Sequence, residues 1–149
     1  MPGEQLDLML NDSDRGETIV DWERNDYILI VEDDTDVSEA FTEVLEQEGH
    51  RVVTFQNGQP ALEYLRQKVV LPRVILLDFL MPQMDGWQFL AERRKDARIV
   101  EVPVVGISGS DRVEADLLSP SVVQLLKKPV SLDALLGAVE HCAPPPLAQ

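Results

Sequence analysis

The residues best suited to chemistry are polar groups that each follow directly on an apolar run. Glu32, Asp33 and Asp34 follow Tyr27-Ile28-Leu29-Ile30-Val31, and Asp78 follows Val74-Ile75-Leu76-Leu77. Ser108 follows a run ending at Ile107, and Lys127, Lys128 and Pro129 follow one ending at Leu126. An Asp placed directly after four apolar residues has no cheap structural reason to be there. If these positions converge, they supply several carboxylates, a hydroxyl and an ammonium. Clustered carboxylate oxygens suit Mg²⁺, which takes one or two protein carboxylates, several waters and a phosphate oxygen. An Asp can act as a nucleophile toward phosphorus. Phosphoryl transfer asks mainly for positioning and charge neutralisation, which a metal and a lysine supply.

These residues converge only if the runs are neighbouring strands whose ends share one edge. The chain supports that arrangement, because strand and helix signals alternate. Strands are expected over 27–31, 51–55, 74–77, 102–107 and 122–126, and the first is a short apolar β-branched run, as in a strand buried on both faces. Helices are expected over 36–49, 60–68, 86–97, 111–118 and 131–142. Asp34 or Thr35 caps the first and Gly49 stops it; Ser131 and Asp133 open the last. Five such units imply a parallel sheet with helices on both faces. In such α/β folds the site lies at the carboxyl ends of the strands.

Composition sets the outer limits. The chain has 149 residues, room for one domain, and 44% of them are apolar, enough for a core. It carries 27 acids against 13 bases, a net charge of −14. That field repels nucleic acid and disfavours anionic membranes. The one cysteine, Cys142, excludes an internal disulfide and a thiol-based metal site. No apolar run approaches the length of a membrane span, and the start of the chain has no basic segment of a secretory signal. The expectation is a soluble, cytoplasmic protein. Residues 1–25 read as an acidic arm whose few apolar residues include Ile19, Val20 and Trp22. Residues 26–142 form the domain. Residues 143–149 are a proline-rich tail.

With these residues in place, the sequence resembles the receiver domains of response regulators in two-component signalling. The resemblance runs from about Tyr27 to Cys142. It rests on Ile28-Leu29-Ile30-Val31-Glu32-Asp33-Asp34, on Leu77-Asp78-Phe79-Leu80-Met81-Pro82-Gln83-Met84-Asp85-Gly86 and on Lys128-Pro129. It implies a five-stranded parallel doubly wound α/β sheet of flavodoxin-like order 2-1-3-4-5 with five helices. It implies that Asp78 is the phosphoacceptor, and that Mg²⁺, with Mn²⁺ able to substitute, is held by Asp78, by Asp33 directly, by Glu32 through water and by the backbone carbonyl of Leu80. Ser108 matches the switch hydroxyl and Lys128 the lysine that pairs with the phosphoryl group. The implied partners are a histidine kinase or a histidine phosphotransfer protein. No output domain is visible, so signalling would run through protein contacts, a homodimer being allowed. Such a domain has phosphoacceptor and self-dephosphorylation chemistry but is not an enzyme in the usual sense. The family usually carries an aromatic residue three positions before the lysine; here that residue is Leu125.

Plainer roles stand beside these. Asp34 reads as a helix cap, Pro82 and Asp85-Gly86 as a rigid loop and turn, and Lys127 as a surface residue. His50 and His141 read as solvent-facing, Trp87 as a partly exposed helix residue, and Cys142 as inert at a helix end. The rival from the binding class is a degenerate receiver that interacts without phosphorylation; the complete set of polar residues speaks against it. An aspartate-nucleophile phosphatase would want a second Asp where Leu80 stands. A flavodoxin-like cofactor binder would want a hydroxyl- and glycine-rich loop where Glu32-Asp33-Asp34 would repel phosphate.

Overall fold

The computed structural model describes residues 27–81, 83–109 and 122–142. Five parallel strands, β1 (Tyr27–Val31), β2 (Arg51–Phe55), β3 (Val74–Asp78), β4 (Val104–Ser108) and β5 (Val122–Lys127), form one sheet in the order β2-β1-β3-β4-β5. Four helices are described: α1 (Thr35–Gln47), α2 (Gly58–Gln67), α3 (Gly86–Arg93) and α4 (Leu132–His141). The expected helix over 111–118, the N-terminal arm and the C-terminal tail lie outside the described residues. Among the described residues no helix is long and apolar enough to cross a membrane.

The apolar runs are continuous because both faces of the sheet are covered. Leu29, Val31, Ile75 and Leu77 point to one side and pack with Leu62 and Leu65 of α2 and Phe89 of α3. Ile28, Ile30, Leu76 and Ile107 point to the other and pack with Phe41 and Leu45 of α1 and Leu135 and Val139 of α4. Strand periodicity of two sends neighbours to opposite cores. Full burial of each such side chain contributes about 1.5–3 kcal/mol.

The helix boundaries follow local chemistry. The Asp34 carboxylate caps α1 by accepting from the amides of Asp36 and Val37, and Gly49 leaves it at φ +94°, the left-handed region that glycine adopts without steric cost. Asp85 and Gln88 form a reciprocal capping box at the start of α3, and Ser131 caps α4 through the Ala134 amide. α3 is shorter than the expected 86–97. Asp96 accepts from the amides of Arg98 and Ile99 and opens a separate 3₁₀ turn, Ile99–Glu101, so the helix does not run on. The fourth strand likewise starts at Val104 rather than 102, because Val102 closes that 3₁₀ turn. Buried Arg93 ties the two segments together by donating to the carbonyls of Val100 and Val102 at 3.2 and 3.0 Å.

Candidate functional site

The strand order fixes which side chains meet. β1 and β4 flank β3, so Glu32 and Asp33, directly after β1, and Ser108, at the end of β4, border Asp78, the last residue of β3. Carboxylate oxygens of Glu32, Asp33 and Asp78 all lie within 4.8 Å of one another, with Glu32 and Asp78 buried and Asp33 exposed. The Ser108 carbonyl accepts from the Lys128 amide at 2.9 Å, and this aligns the start of the β5–α4 loop with the site. The Lys128 ammonium reaches Asp78 Oδ2 at 3.3 Å and Glu32 Oε2 at 3.6 Å. The Leu80 amide donates to Asp78 Oδ1 at 3.1 Å, setting that peptide beside the cluster while its side chain faces solvent.

Three carboxylates and one ammonium leave the cluster short of positive charge. At about 4.8 Å and an effective dielectric near 20, two carboxylates repel by roughly 3 kcal/mol. The protein responds by holding a proton: burial, then Asp78 beside it, push the Glu32 carboxyl up to about 8. Burial alone would lower the Lys128 ammonium, but Asp78 and Glu32 together outweigh it and the net shift is upward. Glu32 Oε2 accepts from the Asp34 amide at 3.2 Å, whereas Glu32 Oε1 is buried without a hydrogen-bond partner. A buried acceptor without a donor is costly. A hydrated divalent cation beside Glu32 and Asp33 would supply both the missing charge and the missing donor, so the donor set fits a hard cation with oxygen ligands.

The sequence-derived set of Glu32, Asp33, Asp78, Ser108 and Lys128 is thus gathered at one edge, with Leu80 adjoining it. Lys127 is exposed, as expected of a surface residue, and Trp87 is 44% exposed on α3. His50 departs from expectation: it is half-buried, with Nδ1 3.3 Å from an Arg73 guanidinium nitrogen. Two features were not read from the sequence. One is the Asp34 amide holding Glu32. The other is Phe79, buried directly behind Asp78 and packed edge-to-face on Trp87 with centroids 5.6 Å apart; an aromatic immediately after the strand-end Asp was the available signal.

An acidic cluster and a lysine at the carboxyl edge of a 2-1-3-4-5 sheet define the receiver class. Residues 28–140 match the response regulator receiver domain, and the chain belongs to that family. It is 34% identical over 120 residues to response regulator Rre1 of Synechocystis sp., covering 76% of this chain and 50% of that one. It is 32% identical over 115 residues to protein PilH of Pseudomonas aeruginosa, covering 75% and 93%. The Mn²⁺-bound form of response regulator Rcp1 superposes with a TM-score of 0.62 at 29% identity, covering 78% and 90%. This chain therefore spans about half the length of Rre1 but nearly all of PilH. Receiver domains are signalling domains that accept phosphoryl groups from histidine kinases and generally bind Mg²⁺.

Proposed function

We propose that Asp78 is the phosphoacceptor of this receiver. An Asp78 carboxylate oxygen attacks the phosphorus of a phosphohistidine on a histidine kinase or histidine phosphotransfer protein. The O–P bond forms, the P–N bond breaks, and the imidazole leaves with its electron pair. Lys128, already paired with Asp78 Oδ2, stabilises the added charge as it moves from donor to acceptor. Ser108 closes its hydroxyl onto the phosphoryl oxygens. Asp33, Asp78 and the Leu80 carbonyl would hold Mg²⁺ directly and Glu32 through a water, with Mn²⁺ as a substitute. When bound, the cation supplies charge neutralisation at the phosphoryl oxygens. Helices antiparallel to the strands turn their N-termini to this edge, which also favours an added anion.

The phosphorylated domain, residues 26–142, signals through protein contacts. The observation that carries the reading is the buried Asp78 bridged to Lys128 within reach of Glu32 and Asp33. Incubation with a small acyl phosphate and Mg²⁺ adds one phosphoryl group by intact-mass analysis, and Asp78→Asn removes it. Equal labelling of the variant would refute the assignment of Asp78. No labelling of the parent chain under any Mg²⁺ concentration would instead mark a receiver that interacts without phosphorylation.

A further inference from the structure

The turn between β2 and α2, residues 55–58, gives the phosphoryl site no group of its own, yet it is bonded to both sides of it. On one side the Phe55 carbonyl accepts from the Glu32 amide at 2.9 Å and holds the backbone of the acidic pair just beyond β1. On the other side Asn57 Nδ2 donates to Gln83 Oε1, 26 residues further on in the loop between β3 and α3. Gly58 lets that loop come close. A Cβ there would stand 2.9 Å from Met84 Sδ and 3.2 Å from Met84 Cγ, so the thioether rests on the glycine itself. The orientation of the Asn57 amide is set by its own helix. Oδ1 accepts from the Gln59 amide at 2.8 Å and caps α2. A backbone N–H can meet only the oxygen, so Nδ2 faces away from the helix, and the Gln83 carboxamide meets it with its own oxygen. The capping residue of α2 thereby doubles as a donor to a neighbouring loop.

What the loop carries gives this contact its consequence. The Leu80 amide donates to Asp78 Oδ1 at 3.1 Å, and the Lys128 ammonium reaches Oδ2 at 3.3 Å. The Asp78 carboxylate is therefore held at both oxygens, at one of them by a peptide of this loop. At its far end the loop is closed by the Asp85–Gln88 capping box and by the Gly86 amide, which donates to the Phe79 carbonyl at 3.3 Å. Gln83 is exposed and lies between these two anchors, while Asn57 is half-buried. An exposed neutral hydrogen bond contributes little to global stability. Its weight here is in geometry, because groups that hold a ligand or a reacting carboxylate in place lower the cost of assembling the site.

We propose that Asn57 and Gln83 form a latch through which the start of α2 positions the β3–α3 loop, and with it the Leu80 peptide, for the cation and the phosphoryl group. Both are positioning residues, acting through Leu80. The proposal rests on the roles assigned above to Asp78 and to the Leu80 carbonyl. Its test uses the full chain and Mg²⁺ alone, with binding read by isothermal titration calorimetry and the urea midpoint measured beside it. Asn57→Ser keeps a capping oxygen for α2 and loses the donor to Gln83. Gln83→Ala removes the acceptor. Each is expected to weaken Mg²⁺ binding by about tenfold, the low end for groups that orient metal ligands, with a urea midpoint close to the parent's. The two changes together weaken binding no further than either alone, because they break one contact. Gln83→Glu, which restores the acceptor, recovers the affinity lost in Gln83→Ala. Losses that add in the double variant overturn the proposal, and so does a loss of affinity that comes with a lowered urea midpoint, since the fold itself is then damaged. A parent chain that binds no Mg²⁺ overturns the cation site and the latch with it. A parent that binds Mg²⁺ and single variants that bind it equally well overturn the latch alone.

Discussion

The ring of Phe79 occupies the space that a side chain on Gly106 would need. A Cβ at Gly106 would stand 2.7 Å from Phe79 Cε1 and 2.6 Å from Leu125 Cδ2. Gly106 pairs with Leu77, two residues before Phe79, so the aromatic that follows Asp78 is seated over the neighbouring strand. Glycine inside a strand usually weakens it; here it admits the ring that backs the site. Gly106→Ala is expected to destabilise the domain by about 1–3 kcal/mol through overpacking, read as a lower urea midpoint. Adding Phe79→Leu returns the space, so the double variant is less destabilised than the two single changes summed. Strict additivity would show that the two residues do not compete for this space.

The acidic cluster is expected to make the protein a metal-responsive fold. A cation that binds only the native state stabilises it by about 2.7 kcal/mol at a hundredfold excess over Kd. Mg²⁺ should therefore raise Tm, and Asp33→Ala, at the exposed member of the cluster, should abolish most of the shift. Differential scanning fluorimetry with and without Mg²⁺ measures both, and an undiminished shift in the variant would remove Asp33 from the ligand set.

Much of this was legible because burial on two faces leaves an unmistakable record. A run such as Ile28-Leu29-Ile30-Val31 has no polar face, and the polar residue directly after it marks where the strand gives way to the loop at the sheet's edge. Strand ends, and with them the positions of Glu32, Asp78 and Lys128, follow from that. The end of α3 was not legible, because Asp96 caps a competing turn and Arg93 spends its charge on carbonyls nine residues away or fewer. The state of Glu32 was not legible either. Its burial, its proton and its partnerless Oε1 arise from three strands meeting, which no local pattern encodes.

That proton gives a pH dependence of definite sign. In the unfolded chain the Glu32 carboxyl titrates near 4.5, and in the metal-free native state near 8. Between these values the native state holds a proton that the unfolded state has lost, so the contribution of Glu32 to stability is full below about 4.5 and falls as pH rises through about 8. Without divalent cations, the urea midpoint of the parent chain should fall relative to that of Glu32→Gln between about pH 5 and pH 8. A parallel pair of pH profiles would show that Glu32 is ionised in the native state throughout.

The output path is expected to differ from that of relatives bearing an aromatic three residues before the lysine. Leu125 holds that position, half-buried, and packs with the core that contains Phe79. The space inside β4 is already taken by the Phe79 ring, which leans on Trp87 of α3. If Ser108 closes onto a phosphoryl group as proposed, no ring is expected to follow it inward from β5. Modification shifts a conformational equilibrium only by the difference in stabilisation it gives the two states, and at β5 that difference is small. Motion of the Asp78–Phe79 peptide on phosphorylation is instead expected to press on Trp87, which packs edge-to-face on Phe79 and is 44% exposed on α3. Hydrogen exchange before and after phosphorylation should show protection changing little in Val122–Lys127 and more at the start of α3, and Trp87 fluorescence should report the addition. Large protection changes confined to β5 would place the response on that strand and refute the path through Phe79.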